Sequence, residues 1–167
     1  RDVGIDEVIA QAGVAKATLY HHFASKDDLV LAFLEDREKR WTFDWVAAEA
    51  RRRGATPEGR LLAIFDLFDE CFRREDFEGC SFINVLLEFD DRANRVRQAS
   101  AEHLSNIRAF LRELATAAGA SDPDELAHQW HILMKGSIVA AGEGDRLAGR
   151  RAREIGQLLL QREAIAV

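Results

Sequence analysis

The run Ala12-Gly13-Val14-Ala15-Lys16-Ala17-Thr18-Leu19-Tyr20-His21-His22-Phe23-Ala24-Ser25-Lys26 constrains the fold of this chain more than any other segment. Ahead of it, Ile5, Val8, Ile9 and Ala12 recur three and four apart, which predicts a short amphipathic helix. Gly13 ends that helix, because glycine accepts the left-handed backbone that a sharp turn requires. Val14 is apolar and suits the corner between two helices. A second short helix is predicted over 16–23, with Leu19 and Phe23 four apart and facing the first as core. The pattern is a helix, a tight turn and a helix.

The outer face of the second helix is left to Lys16, Ala17, Thr18, Tyr20, His21 and His22. Lys16 is a mobile cation suited to a phosphate or a guanine edge. Ala17 is small enough for close backbone approach, and the Thr18 and Tyr20 hydroxyls suit phosphate oxygens. His21 and His22 offer ring donors or apolar contact to bases, and Lys26 can hold a phosphate beyond the helix. No acidic residue falls between Val14 and Lys26. A plain helical hairpin with a solvated polar face would show the same spacing. It would give less reason for a tyrosine beside two adjacent histidines.

From Asp6-Glu7-Val8-Ile9-Ala10-Gln11 through this run to Lys26-Asp27-Asp28-Leu29, the chain closely resembles the signature of the TetR family of transcriptional regulators. The resemblance implies an all-α fold, with a helix-turn-helix DNA-binding head over 1–33 and a larger helical ligand-binding and dimerisation body over 34–167. It also implies a further helix ahead of the motif, so the head is expected to be N-terminally incomplete. The remaining periodicity fits such a body. One long helix is predicted over 26–53, capped by Ser25, with Leu29, Phe33 and Leu34 toward the head and Trp41, Trp45 and Ala48 as an outer stripe. Thr56-Pro57 and Ser121-Asp122-Pro123 read as helix starts, and Gly119 and Gly142-Glu143-Gly144 as stops. Further helices are expected over about 57–72, 80–88, 93–118, 123–141 and 148–164, that over 93–118 with Val96, Ala99, His103, Ile107, Phe110 and Leu114 on one face.

The resemblance implies an effector cavity in the body and a dimer interface on the last two helices. Candidates for the cavity are Trp41, Trp45, Phe65, Phe68, Phe82, Phe89, Trp130 and Met134, with Asn84, Glu88, His103 and His131 to orient a ligand. The same aromatics at helical spacing equally describe a packed core. Asn84, a lone amide in an apolar stretch, needs a partner from protein or ligand. The interface is expected at Leu126, Leu133, Ile138, Ile155, Leu158 and Leu159.

Two rivals remain at this point. His128 and His131 are three apart with Glu125 before them, a spacing that a metal enzyme can use, although no fourth ligand is evident. The formal net charge of −6 fits a helical interaction module whose head no longer reads DNA. No Gly-rich phosphate loop, nucleophile elbow or catalytic carboxylate pair emerges, so neither catalysis nor a cofactor or resident metal is expected. Cys71 and Cys80, without a CxxC pattern, read as free thiols of a reducing cytoplasm, and no apolar run is long enough to span a membrane. The reading that absorbs most residues is a repressor released by a small apolar or amphipathic effector. It binds a palindromic operator in double-stranded DNA as a homodimer, with half-sites about 34–36 Å apart or a multiple of that.

Overall fold

The computed structural model describes residues 3–165. Helices α1 (Ile5–Ala12) and α2 (Lys16–His22) meet at Gly13, whose φ of 65° is the left-handed turn the sequence calls for. The Gly13 and Val14 amides donate to the Ala10 and Ile9 carbonyls and close the end of α1. Ser25 then starts α3 (Lys26–Arg37): its hydroxyl oxygen accepts from the Asp28 amide at 3.1 Å.

The long helix expected over 26–53 is continuous but not uniform. A π-helical segment, Glu38–Ala47, separates α3 from α4 (Ala48–Arg53). Its wider turns re-aim the side chains: Thr42, Val46 and Ala47 face inward, while Ala48 is exposed and does not continue the stripe. Phe33 and Leu34 also depart from expectation. Leu34 is fully buried with Phe82, Val96 and Leu104, so it packs on the body and not on the head. Phe33 is 51% exposed.

The body is a helical bundle. Helix α5 (Pro57–Phe72) is its axis, buried on several faces through Leu61, Ile64, Phe65, Leu67 and Phe68. Around it lie α7 (Arg95–Ala117), α8 (Pro123–Gly142) and α9 (Ala148–Ile165), and short α6 (Ser81–Glu88) lies across α7. Local chemistry sets the starts: Thr56 and Asp122 cap α5 and α8 ahead of a first-position proline, and Asn94 accepts from the Val96 and Arg97 amides. The Arg97 guanidinium donates to the Leu86 and Phe89 carbonyls, closing the far end of α6. On α7 the buried face keeps Val96, Phe110 and Leu114 of the predicted stripe, but Ser100 and Leu104 take the buried places expected for Ala99 and His103, and His103 falls at its edge.

Helix α9 approaches its neighbours through two glycines. A Cβ at Gly149 would stand 2.7 Å from the Asp69 backbone, and one at Gly156 would stand 2.8 Å from the Trp130 ring. Arg150 and Arg153 reach Asp69 and Asp66 of α5 and tie the two helices together. Among the described residues, no helix is long and apolar enough to cross a membrane.

Candidate functional site

Two regions of the molecule concentrate the candidate functional side chains. The first is the surface of α2. Leu19 is its one buried residue; around it Lys16, Ala17, Thr18, Tyr20, His21, His22 and nearby Lys26 are all exposed. The His21 and His22 rings meet edge to face at 5.3 Å. Lys16 is less mobile than expected: its ammonium sits 2.9 Å from Asp6 Oδ1 on α1, and that hydrogen bond raises its pKa. The local positive charge is therefore partly offset from across the turn.

The second is a cavity of about 60 Å³ inside the body, bounded by the π-helical segment, α5, α6, α7 and α8. Trp41, Phe68, Phe82 and Met134 line it, as the sequence suggested, with Val46, Phe72, Ile107 and Ile138. It adjoins a polar chamber of about 340 Å³, with Arg37, Trp41, Cys71, Phe77, Gly79 and Ser81 common to both walls. Two buried polar atoms on cavity-lining residues, Thr42 Oγ1 and His131 Nδ1, have no hydrogen-bond partner. Burial, with Lys135 and Arg108 nearby, pushes the His131 imidazole down to about 3, so it is neutral at pH 7. Both cysteines are free and line the cavity, and burial raises each thiol above its ordinary range.

Seven cavity candidates lie elsewhere, Phe89 among them, half-buried against the Leu34 cluster. Phe65 and Trp130 are core: their rings pack at 5.2 Å, fully buried, beneath Gly156. Trp45 stacks on Trp41 at 4.6 Å without reaching the cavity wall. His103 has a protein partner, its Nδ1 lying 2.8 Å from Glu38 Oε2, and its ring stacks on Phe82. Asn84 is exposed on the polar chamber and donates to the Glu78 carbonyl at 3.2 Å, and Glu88 is exposed at the end of α6. His128 and His131 diverge despite their spacing: His128 is exposed, its Nδ1 2.8 Å from the Asp124 carbonyl of its own helix, and His131 is buried. Arg37, Thr42 and Lys135 were not anticipated. The available signal was Lys135 itself, a lone charge within His131-Ile132-Leu133-Met134-Lys135-Gly136-Ser137-Ile138.

The expected interface residues divide by exposure. Leu126 is 1% exposed and belongs to the chain's own core, which corrects its assignment. Leu133, Ile138 and Leu159 are half-buried against that core, Ile138 on the cavity wall. Ile155 and Leu158 are exposed on α9, Leu158 at 63%, and Ile132 and Val139 are exposed on α8.

The chain matches two family models. Residues 57–155 match the tetracyclin repressor-like C-terminal domain, and residues 1–33 match the tetR family of bacterial regulatory proteins. It is 28% identical over 83 residues to the HTH-type transcriptional regulator YjdC of Escherichia coli, half of this chain but only 44% of that one. Over 148 residues it is 29% identical to the transcriptional regulator AcuR of Cereibacter sphaeroides, covering 83% of this chain and 67% of the relative. The crystal structure of SCO4454, a TetR-family transcriptional regulator from Streptomyces coelicolor, superposes with a TM-score of 0.87 at 28% identity, covering 98% of this chain and 86% of that one.

Proposed function

The chain belongs to the TetR family of bacterial regulatory proteins, and on that premise we propose that it is a cytoplasmic, sequence-specific DNA-binding regulator, a repressor released by a small molecule. The observation that carries the reading is the surface of α2. A single buried leucine anchors a short helix whose remaining positions present a cation, two hydroxyls and two imidazoles outward, behind a glycine turn. Thr18, Tyr20 and Lys26 suit phosphate oxygens, Lys16 a phosphate or a guanine edge, and Ala17, His21 and His22 base edges. In this reading 1–33 is the head and 34–167 the body.

One such head makes too few contacts for specificity, so the functional unit is a homodimer on a palindromic site. Its interface centres on Ile132 and Val139 of α8 with Ile155 and Leu158 of α9, apolar side chains exposed on the protomer. The effector occupies the cavity beside the π-helical segment, where Trp41, Thr42 and Val46 form one wall.

The test is selection of DNA from a random-sequence library. Recovery of one palindrome, bound with steeply falling affinity as salt rises, is the expected result. Recovery of nothing above background from a folded dimer overturns the reading in favour of an interaction module with a degenerate head.

A further inference from the structure

The cavity wall is one-sided in charge. Arg37 and Lys135 line it, and no aspartate or glutamate does. Among the described residues neither cation has a carboxylate within ion-pair distance, whereas nearby Arg40 and Arg74 are paired with Asp36 and Asp76. The Arg37 guanidinium lies 4.7 Å over the Trp41 ring, and both residues belong to the wall shared with the polar chamber. Arg37, Cys80 and Lys135 all line this one cavity. Lys135 is partly desolvated and repelled by Arg108, which lowers its pKa. Cations drawn out of water without a counter-charge are costly, and proteins ordinarily pair them. The cavity is therefore short of negative charge; Asp76, paired with Arg74, and Glu78 line the adjoining chamber instead.

Size and lining set the remainder of the ligand. At about 10–15 Å³ for each water-sized group, the inner space takes roughly four to six non-hydrogen atoms. Away from the two cations the wall is mostly hydrocarbon, with Phe68, Phe82 and Met134 prominent. Thr42 and the neutral His131 add hydrogen-bonding atoms that no protein group satisfies.

We infer that the cavity binds a short-chain organic carboxylate, with its head group drawn to Arg37 and Lys135 and its hydrocarbon tail among Phe68, Phe82 and Met134. A neutral ligand would leave both charges uncompensated, and a cation would add to them. This inference rests on the effector reading only for the consequence of binding, not for binding itself.

The experiment is calorimetric titration of the full chain with propionate, butyrate and hexanoate, each beside its amide. Charge-assisted hydrogen bonds predict that the best acid binds at least about tenfold more tightly than its amide. Lys135→Met and Arg37→Gln, each checked for an intact thermal transition, should each remove about tenfold of acid affinity and leave amide affinity within about twofold. Lys135→Arg should restore most of the loss. Amides binding as well as acids, acid affinity insensitive to both variants, or no saturation by any acid would overturn the inference. The selected operator separates the two claims. An acid that binds without releasing DNA keeps the carboxylate site and removes the effector reading. An amide that binds as tightly as its acid and releases DNA keeps the effector reading and removes the carboxylate site.

Discussion

Leu34 and Phe33 are neighbours on α3, and truncating each in turn tests where that helix is anchored. Leu34→Ala removes a fully buried side chain from the cluster with Phe82, Val96 and Leu104. Such a truncation costs about 2–5 kcal/mol, depending on how far the surroundings collapse. For a chain of this size each kcal/mol lowers Tm by about 2–4 °C, so a loss of about 3 kcal/mol lowers it by about 6–12 °C. Phe33 is 51% exposed and belongs to neither buried cluster. Phe33→Ala should therefore stay within about 0.5 kcal/mol, or about 2 °C. Thermal unfolding followed by far-ultraviolet circular dichroism reads both variants. Protein concentration must be equal, because self-association shifts Tm by mass action. If Phe33→Ala costs as much as Leu34→Ala, the helix packs on the head in the way its periodicity suggests, and the burial described above is not what holds it.

Three further outcomes are expected. Asp6→Asn frees Lys16 and should tighten DNA binding more than Glu7→Gln does, adding about one phosphate contact to the salt slope; equal effects in anisotropy titrations would mean the Lys16–Asp6 pair does not matter. Ile155→Asp with Leu158→Asp should give folded monomers by light scattering, because both side chains are exposed on the protomer, whereas Leu126→Asp should not fold; an unchanged dimer mass for the double variant refutes the interface. Burial keeps His131 neutral in the folded state, with a pKa of about 3 against about 6.5 when unfolded, so stability is unaffected above that higher value and falls as pH drops below it. By pH 5 the loss from this group is about 2 kcal/mol, and urea unfolding of His131→Leu should lack that increment; equal acid losses in both proteins would place His131 outside the core.

The helices were legible because their punctuation is local. Ser25, Thr56 and Asp122 cap within three residues of themselves, and Gly13 turns the chain where it stands. Which helix faces meet is not local. Helix α5 is apolar nearly all round, so periodicity cannot tell Phe65, packed on Trp130, from Phe68, which faces the cavity. The partner of His103 is Glu38, on a different helix and far away in sequence. No residue pattern announced the π-helical segment, and its wider turns decide that Trp41 reaches the cavity while Trp45 only stacks behind it. The exposed set on α2 was legible because one short helix with one apolar anchor leaves few ways to orient it.

The rod from Lys26 to Arg53 joins the two functional regions, and its attachments limit how a ligand can act on the head. Asp28 pairs with Arg95 at 2.9 Å, Leu34 is buried against α6 and α7, and Glu38 holds His103 and, at 3.0 Å, Asn106. All three lie between the α2 end of the rod and Trp41, Thr42 and Val46 of the cavity wall. The Asp28–Arg95 pair is exposed enough for water and salt to screen it, so it yields readily. Leu34 can slide within an apolar cluster but cannot leave it cheaply, since exposing it loses its burial energy. Glu38 is directional and largely shielded, and it sits beside Arg37 and one turn from Trp41, both on the cavity wall. Effector coupling in such proteins is worth about 1–3 kcal/mol. Remaking one shielded hydrogen-bonded group is an event of that order, whereas unpacking Leu34 exceeds it. On the proposed function, a ligand-driven motion of the head would therefore pivot about the Leu34 cluster, gated by Glu38, without dissociation of α3 from the body.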